Sequence, residues 1–185
     1  MINNSVLSAV YARRSIRRFK RQPVEREKID TLVRAAMAAP STCNLQVWEF
    51  IVIDQPERAE RVRALSESGS FYAPVVMVLC ADTRNVPWKD EDWKIDCAAA
   101  VENMMIAAPS LGLGSCWIGS YDMTGLRVFL NIPAEIQVMN LVYFGYPDEQ
   151  KAAGSKYDQS AVYWQNYDPA RGRTLRKMGD PDDRQ

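Results

Sequence analysis

The segment Arg13-Arg14-Ser15-Ile16-Arg17-Arg18-Phe19 gathers four guanidinium groups around one hydroxyl. Guanidinium forks pair bidentately with phosphate oxygens and stay charged at any physiological pH, and the serine adds a neutral donor to the same anion. One helical pattern later comes Ala39-Pro40-Ser41-Thr42-Cys43-Asn44-Leu45-Gln46-Val47-Trp48-Glu49-Phe50. Asn44 and Gln46 each carry donors and an acceptor, which suits the alternating edge of a heterocycle. Pro40, Trp48 and Phe50 offer apolar surfaces for its faces. Together the two segments suggest a phosphorylated, planar cofactor.

Taken alone, Arg13 to Arg21 has six basic residues in nine positions and equally suits a solvated arm or a nucleic-acid contact. Ile16 and Phe19 interrupt the run and no second basic cluster follows. Over the whole chain 23 basic residues are cancelled by 23 acidic ones, which argues against an extended polyanion footprint. Histidine is absent. That removes Ser-His-Asp and Cys-His nucleophiles and imidazole metal sites together. The four cysteines, at 43, 80, 97 and 116, form no C-x-x-C pair, so neither a zinc ribbon nor a dithiol motif is supported. Cys80 and Cys97 read as small core residues, and Cys43 lies in the candidate cofactor loop. Chemistry must then come from a cofactor or from carboxylates. Asp82, Asp96 and Glu102 show no perturbing partner in sequence and read as cap and surface residues.

The elements that must carry these residues follow from periodicity. Ile29, Leu32, Val33, Ala36 and Met37 make one apolar stripe on a helix from about Glu25 that ends before Pro40, leaving Ser41 to Gln46 in a loop. Residues 5–13 predict a short helix, Trp48 to Asp54 a strand, Pro56 to Ser68 a charged surface helix and Val75 to Ala81 a buried strand. Trp93 to Leu111 predicts a long central helix, kinked by Pro109 and stopped by Gly112-Leu113-Gly114. Ser115 to Gly119 and Gln137 to Phe144 read as strands around a short helix over Thr124 to Leu130. The irregular alternation implies an α+β layered domain without internal repeats. At 185 residues one domain is expected. No apolar run approaches the ~20 residues of a membrane span and the start lacks a signal-peptide core, so a cytoplasmic protein is expected. Gly112-x-Gly114 is not a dinucleotide fingerprint, because the glycines follow a helix rather than a strand.

The chain resembles the nitroreductase family of FMN-dependent flavoproteins. Its short members open with R-[RH]-S-x-R-x-F and carry A-P-S-x-x-N-x-Q-P-W-x-F, with Val47 here in the place of proline. Phe71-Tyr72-Ala73-Pro74-Val75-Val76, Asp96 to Met105, Gly112 to Gly119, Phe144-Gly145-Tyr146-Pro147 and Lys156 to Trp164 are similar to successive family segments in the family's order. The likeness spans roughly residues 5 to 167.

The resemblance implies a layered mixed sheet flanked by helices, in an intertwined homodimer with an exchanged C-terminal segment. Residues 1–147 would form the FMN-binding domain and 148–185 its dimer-wrapping extension. It places Arg13 and Ser15 on the FMN phosphate, Arg14 beside them, and Arg17 at the ribityl chain or the N1/O2 edge, where a guanidinium stabilises the charge of the reduced ring. Pro40 and Ser41 would meet the flavin of the partner subunit, so that one site draws on both chains, and Asn44 and Gln46 would complete the cofactor-binding residues of this segment. Ile118 and Gly119 would present backbone near N5, and Lys156 a further phosphate contact. Arg18 and Lys20 read as surface charges. Tyr163 stands where relatives often have histidine, so a role borrowed from that histidine does not transfer. The implied activity is hydride transfer from NAD(P)H through FMN to a small-molecule acceptor such as a nitroaromatic, quinone or activated alkene, with no nucleic-acid or membrane partner. A non-catalytic flavin sensor and a reductive dehalogenase or flavin-fragmenting relative are the alternatives.

Overall fold

A computed structural model describes residues 4–87, 91–152, 157–173 and 175. The chain divides into two compact units, residues 1–150 and 151–185.

The first unit is built on a four-stranded sheet in the order β1-β2-β4-β3, with β1 Trp48–Ile53, β2 Val75–Asp82, β3 Gly114–Ile118 and β4 Ile136–Gly145. All pairings among these strands are antiparallel. Parallel geometry enters through an isolated bridge between Ser15 and Ser115, which lays the arginine segment along the β3 edge. The continuous apolar run of β2 takes an inner position, where both faces are covered. Val75, Met77, Leu79 and Ala81 pack on one face with helices α2 (Arg26–Met37) and α4 (Asp92–Ser110). Val76, Val78 and Cys80 pack on the other with α3 (Pro56–Ala64) and α5 (Met123–Leu130). The result is three layers, as the alternation of elements implies, with α1 (Ser5–Ala12) leading into the arginine segment.

Helix α4 buries Cys97, Ala100, Val101, Met104, Met105 and Ala108 along one stripe. Pro109 falls in its last turn, where the bonds tighten to Leu111→Ala108 and Gly112→Pro109. Gly112 then takes φ 73°, a left-handed position that favours glycine, and the Leu113 amide closes back on the Ala108 carbonyl. Helix α3 stops at Ala64, four residues short of the predicted end. There the chain turns to pair with residues 120–122, through Glu67 N–H on Ser120 O and Asp122 N–H on Leu65 O. That tertiary pairing overrides the charged helical pattern. Gly114 allows a close approach: a Cβ there would lie 2.7 Å from Ile16 Cγ1, so a larger residue would push the arginine segment off β3. Among the described residues no helix is long and apolar enough to cross a membrane.

The second unit is described over residues 151–152, 157–173 and 175. A 3-10 turn, Gln159–Ala161, is capped by Asp158. Arg171 donates to the carbonyls of Val162 and Gln159 and lies 5.0 Å from the Tyr163 ring centre. Tyr163 packs on Tyr167 at 4.4 Å, yet Tyr157, Trp164 and Tyr167 remain more than 70% exposed.

Candidate cofactor site

The arginine segment is fixed by its neighbours. Arg13 follows α1, and its Nε meets Glu102 of α4 at 3.4 Å. No other hydrogen bond or ion pair of the Arg13 side chain is present among the described residues, so the η end of its fork stays available to an anion. Arg14 folds the other way. Its Nη1 donates to the carbonyls of Tyr11 and Arg13, closing the C-terminal end of α1, where a cation also suits the helix dipole. Ser15 is half-buried in its bridge to Ser115, and the Ile16 amide donates to the Ser115 carbonyl at 2.9 Å. Glu149 accepts from the backbone amides of Arg17 and Arg18, at 2.6 and 3.2 Å, leaving the Arg17 side chain exposed. Arg18 donates to the Asp148 carbonyl instead.

The loop before β1 has unusual backbone. Cys43, Asn44 and Gln46 all take positive φ, at 51°, 56° and 51°. Asparagine tolerates this region, whereas cysteine and glutamine need the surroundings to impose it. The restraints are visible: Ser41 Oγ accepts from the Gln46 amide, and Asp96 Oδ1 accepts from both the amide and the hydroxyl of Thr42 at 2.9 and 3.0 Å. Gln46 Nε2 donates to Asn44 Oδ1, so the two amides form one exposed polar edge, with Pro40 exposed and Ser41 half-buried beside them. Cys43 is exposed there. Val47 contributes its carbonyl to Asp82 N–H, a bond that proline in the same place would keep.

One of the three carboxylates, Asp96, differs from its reading as a cap or surface group. Asp96 is buried on α4 and tethers the loop, and Glu102 orients Arg13. Sequence could not supply either partner, since Thr42 is 54 residues from Asp96. Asp82 is held by Arg84, whose hydrogen bonds push its carboxyl down to about 2, so it stays ionised and is a poor proton donor near neutrality. Cys80 and Cys97 are core residues as expected, their thiols pushed up to about 12 by burial.

Asp96→Ala should therefore free the loop. Losing the charged hydrogen bonds to Thr42 should cost about 1.5–3 kcal/mol of stability, and Asp96→Asn should recover part of it through its remaining carbonyl acceptor. Denaturant unfolding of the two variants tests this, and equal stability of Asp96→Ala and the parent would refute the tether.

The expected site residues sit on several different elements. Ile118 ends β3 and is buried, and Gly119 beyond it is exposed, with nothing within 4 Å of where a Cβ would stand. A flat ring could approach that backbone closely. Arg13 and the 41–46 loop are both anchored on α4, through Glu102 and Asp96. These positions are six residues apart, about 9 Å of rise and about one and two-thirds turns. The two anchors thus lie on different sides of the helix. Lys156 lies outside the described residues.

The Nitroreductase family model matches residues 10–93 and 65–146. A candidate NADH dehydrogenase/NAD(P)H nitroreductase of Archaeoglobus fulgidus is 38% identical over 151 residues, covering 78% of this chain and 87% of its own. The FMN reductase (NADPH) of Bacillus subtilis is 28% identical over 189 residues, covering 88% of this chain and 74% of its own. Among solved structures, an FMN-dependent nitroreductase from Clostridium difficile superposes with a TM-score of 0.78 at 32% identity, over 87% of this chain and 99% of that one.

Proposed function

The chain belongs to the nitroreductase family, and from that premise we propose that it is a homodimeric, FMN-dependent oxidoreductase taking electrons from NAD(P)H and passing them to an oxidised organic acceptor. Relatives named FMN reductase and NADPH-flavin oxidoreductase support the cofactor and the donor. The observation that carries the reading is the donor set. Arg13 keeps its η nitrogens clear while Glu102 holds its Nε, Ser15 stands beside it on the β3 edge, and Asn44 and Gln46 share an amide edge. These groups fit the phosphate and the heterocycle of FMN respectively.

Bound FMN supplies two-electron chemistry that no side chain here could perform. The chain's own contributions are charge and position. Arg13 and Ser15 bind the phosphate, and Glu102 prevents Arg13 from rotating away. Arg17 is exposed and held by its backbone on Glu149, so its guanidinium can reach an edge where negative charge develops. Gly119 leaves its backbone clear for the ring to approach. Loop 41–46 presents amides from a backbone clamped by Asp96 and Ser41. The separation of the two anchors on α4 supports a site completed by a second chain, with the loop of one protomer serving the phosphate group of its partner. The three exposed aromatic residues of the second unit support the same assembly, because such rings need a surface to cover them. Nitroaromatics, quinones and activated alkenes are the acceptor classes that this chemistry admits.

Anaerobic stopped-flow absorbance tests the activity. NADH or NADPH should bleach the bound flavin before any acceptor is added, and an added quinone or nitroaromatic should restore it. A flavin that stays oxidised with both nicotinamides at saturation would overturn the enzyme reading in favour of a sensor.

A further inference from the structure

The basic run does not end at the cofactor elements. Its last member, Arg21, lies at the end of the sheet where β1 finishes and β2 begins, beside a cavity of 390 Å³. Arg63 of α3 lines the same cavity and is only 8% exposed. The two guanidinium carbons lie 4.9 and 5.2 Å from the centre of one ring, Tyr72. Prolines 23, 56 and 74 supply rigid apolar walls. β1 and β3 are opposite edges of the sheet, so about three strand spacings, ~14 Å, separate this cavity from the Ser15 bridge.

The charges here are incompletely matched. Arg63 Nη1 donates to the Ala73 carbonyl at 2.8 Å, and neither Arg63 nor Arg21 makes an ion pair among the described residues. A buried guanidinium ordinarily has a carboxylate or another anion against its fork. Burial, the largest influence, presses the Arg63 proton affinity down; Tyr143, Glu60 and Tyr72 partly oppose it and the Arg21 charge adds to it, so a further anion at the fork would favour the charged form. Asp54 lines the cavity and Glu60 the adjoining pocket, but Asp54 already faces Arg26 at 3.9 Å. With those two carboxylates so near, one added negative charge suits the site better than two.

We propose that this cavity binds a small organic monoanion, a carboxylate on a flat apolar body, with Arg21 and Arg63 on the carboxylate and Tyr72 and the prolines against the body. A cavity of this size accommodates a ligand of a few rings at most. The proposal does not depend on the flavin assignment.

Benzoate is the probe, inorganic phosphate the comparison, and the full chain with its bound cofactor the sample. By calorimetry benzoate should bind and phosphate should bind more weakly. Arg21→Ala should weaken benzoate at least tenfold, as expected for a charged hydrogen bond. Arg63→Lys, which keeps the charge and loses the fork, should weaken it as well. Because Arg63 also ties Ala73, thermal unfolding without ligand checks that each variant folds, and the exposed Arg21 carries the decision if Arg63→Lys is unstable. Absence of benzoate heat in the parent, or equal affinity in a folded Arg21→Ala, overturns the proposal. Phosphate binding more tightly than benzoate overturns the monoanion class. Benzoate that perturbs the flavin spectrum and still does so in Arg21→Ala places the probe at the cofactor instead, and equally overturns it.

Discussion

Arg13→Ala should bind FMN about ten- to a hundredfold more weakly than the parent while its affinity for riboflavin stays unchanged. The magnitude is that of one charged hydrogen bond, roughly 1.5–3 kcal/mol. The selectivity comes from chemistry: riboflavin has the same ring and ribityl chain but no phosphate for Arg13 to meet. The variant should fold, because the side chain's contact with Glu102 is a partly exposed ion pair worth little to stability and the remaining structural duties belong to the backbone. Its amide closes α1 on the Ala9 carbonyl, and its own carbonyl receives Arg14. Alanine keeps both groups. Arg13→Lys separates charge from shape, since an ammonium retains the attraction and loses the bidentate fork, and it should fall between parent and alanine. Fluorescence quenching titrations of the three proteins with both flavins measure the six constants. A parallel loss of riboflavin affinity would mean that the substitution disturbs the ring site, and no loss for either would remove Arg13 from the phosphate.

Sequence patterns carried the fold a long way and the site only part of it. The stripe Ile29, Leu32, Ala36 placed α2, and the β-branched run from Val75 placed β2, because each pattern reports a buried face directly. Helix α3 was legible in its charge pattern except at its end, which is set by pairing of residues 65–67 with 120–122. Local periodicity contains no record of such a contact. The same limit governs the site. Residue types identified Arg13, Ser15, Asn44 and Gln46 as a donor set, but the groups that aim them were invisible. Asp96 looks like any acidic residue on a helix until Thr42 is seen against it. Glu102 and Glu149 likewise acquire meaning from arginines far away in sequence. Arg14 shows the converse: its type matched the anion site, yet its guanidinium turns back on the carbonyls of its own helix end. Arg21 belonged by sequence to the phosphate run and stands instead over Tyr72.

If the proposed two-chain site is right, a chain ending at Gln150 should form no dimer and retain no flavin. The boundary is that of the first compact unit, which contains the four strands and five α-helices found among the described residues, so the truncated protein should keep its secondary structure. What it loses is a segment in which the described residues are held by Arg171, Asp158 and a tyrosine pair and which exposes Tyr157, Trp164 and Tyr167. Rings of this size bury about 150–250 Å² each when covered, so together they would add several kcal/mol to an association and little to an isolated chain. Flavin should follow the dimer because Glu102 and Asp96 present the phosphate group and the amide loop on different sides of α4. On the proposed two-chain site, each half lacks its complement without a second chain. Analytical ultracentrifugation gives the mass, visible absorbance the flavin content, and circular dichroism confirms that the remainder is folded. A folded, flavin-loaded monomer would refute the two-chain site, and a flavin-loaded dimer would refute the proposal that residues beyond 150 hold two subunits together.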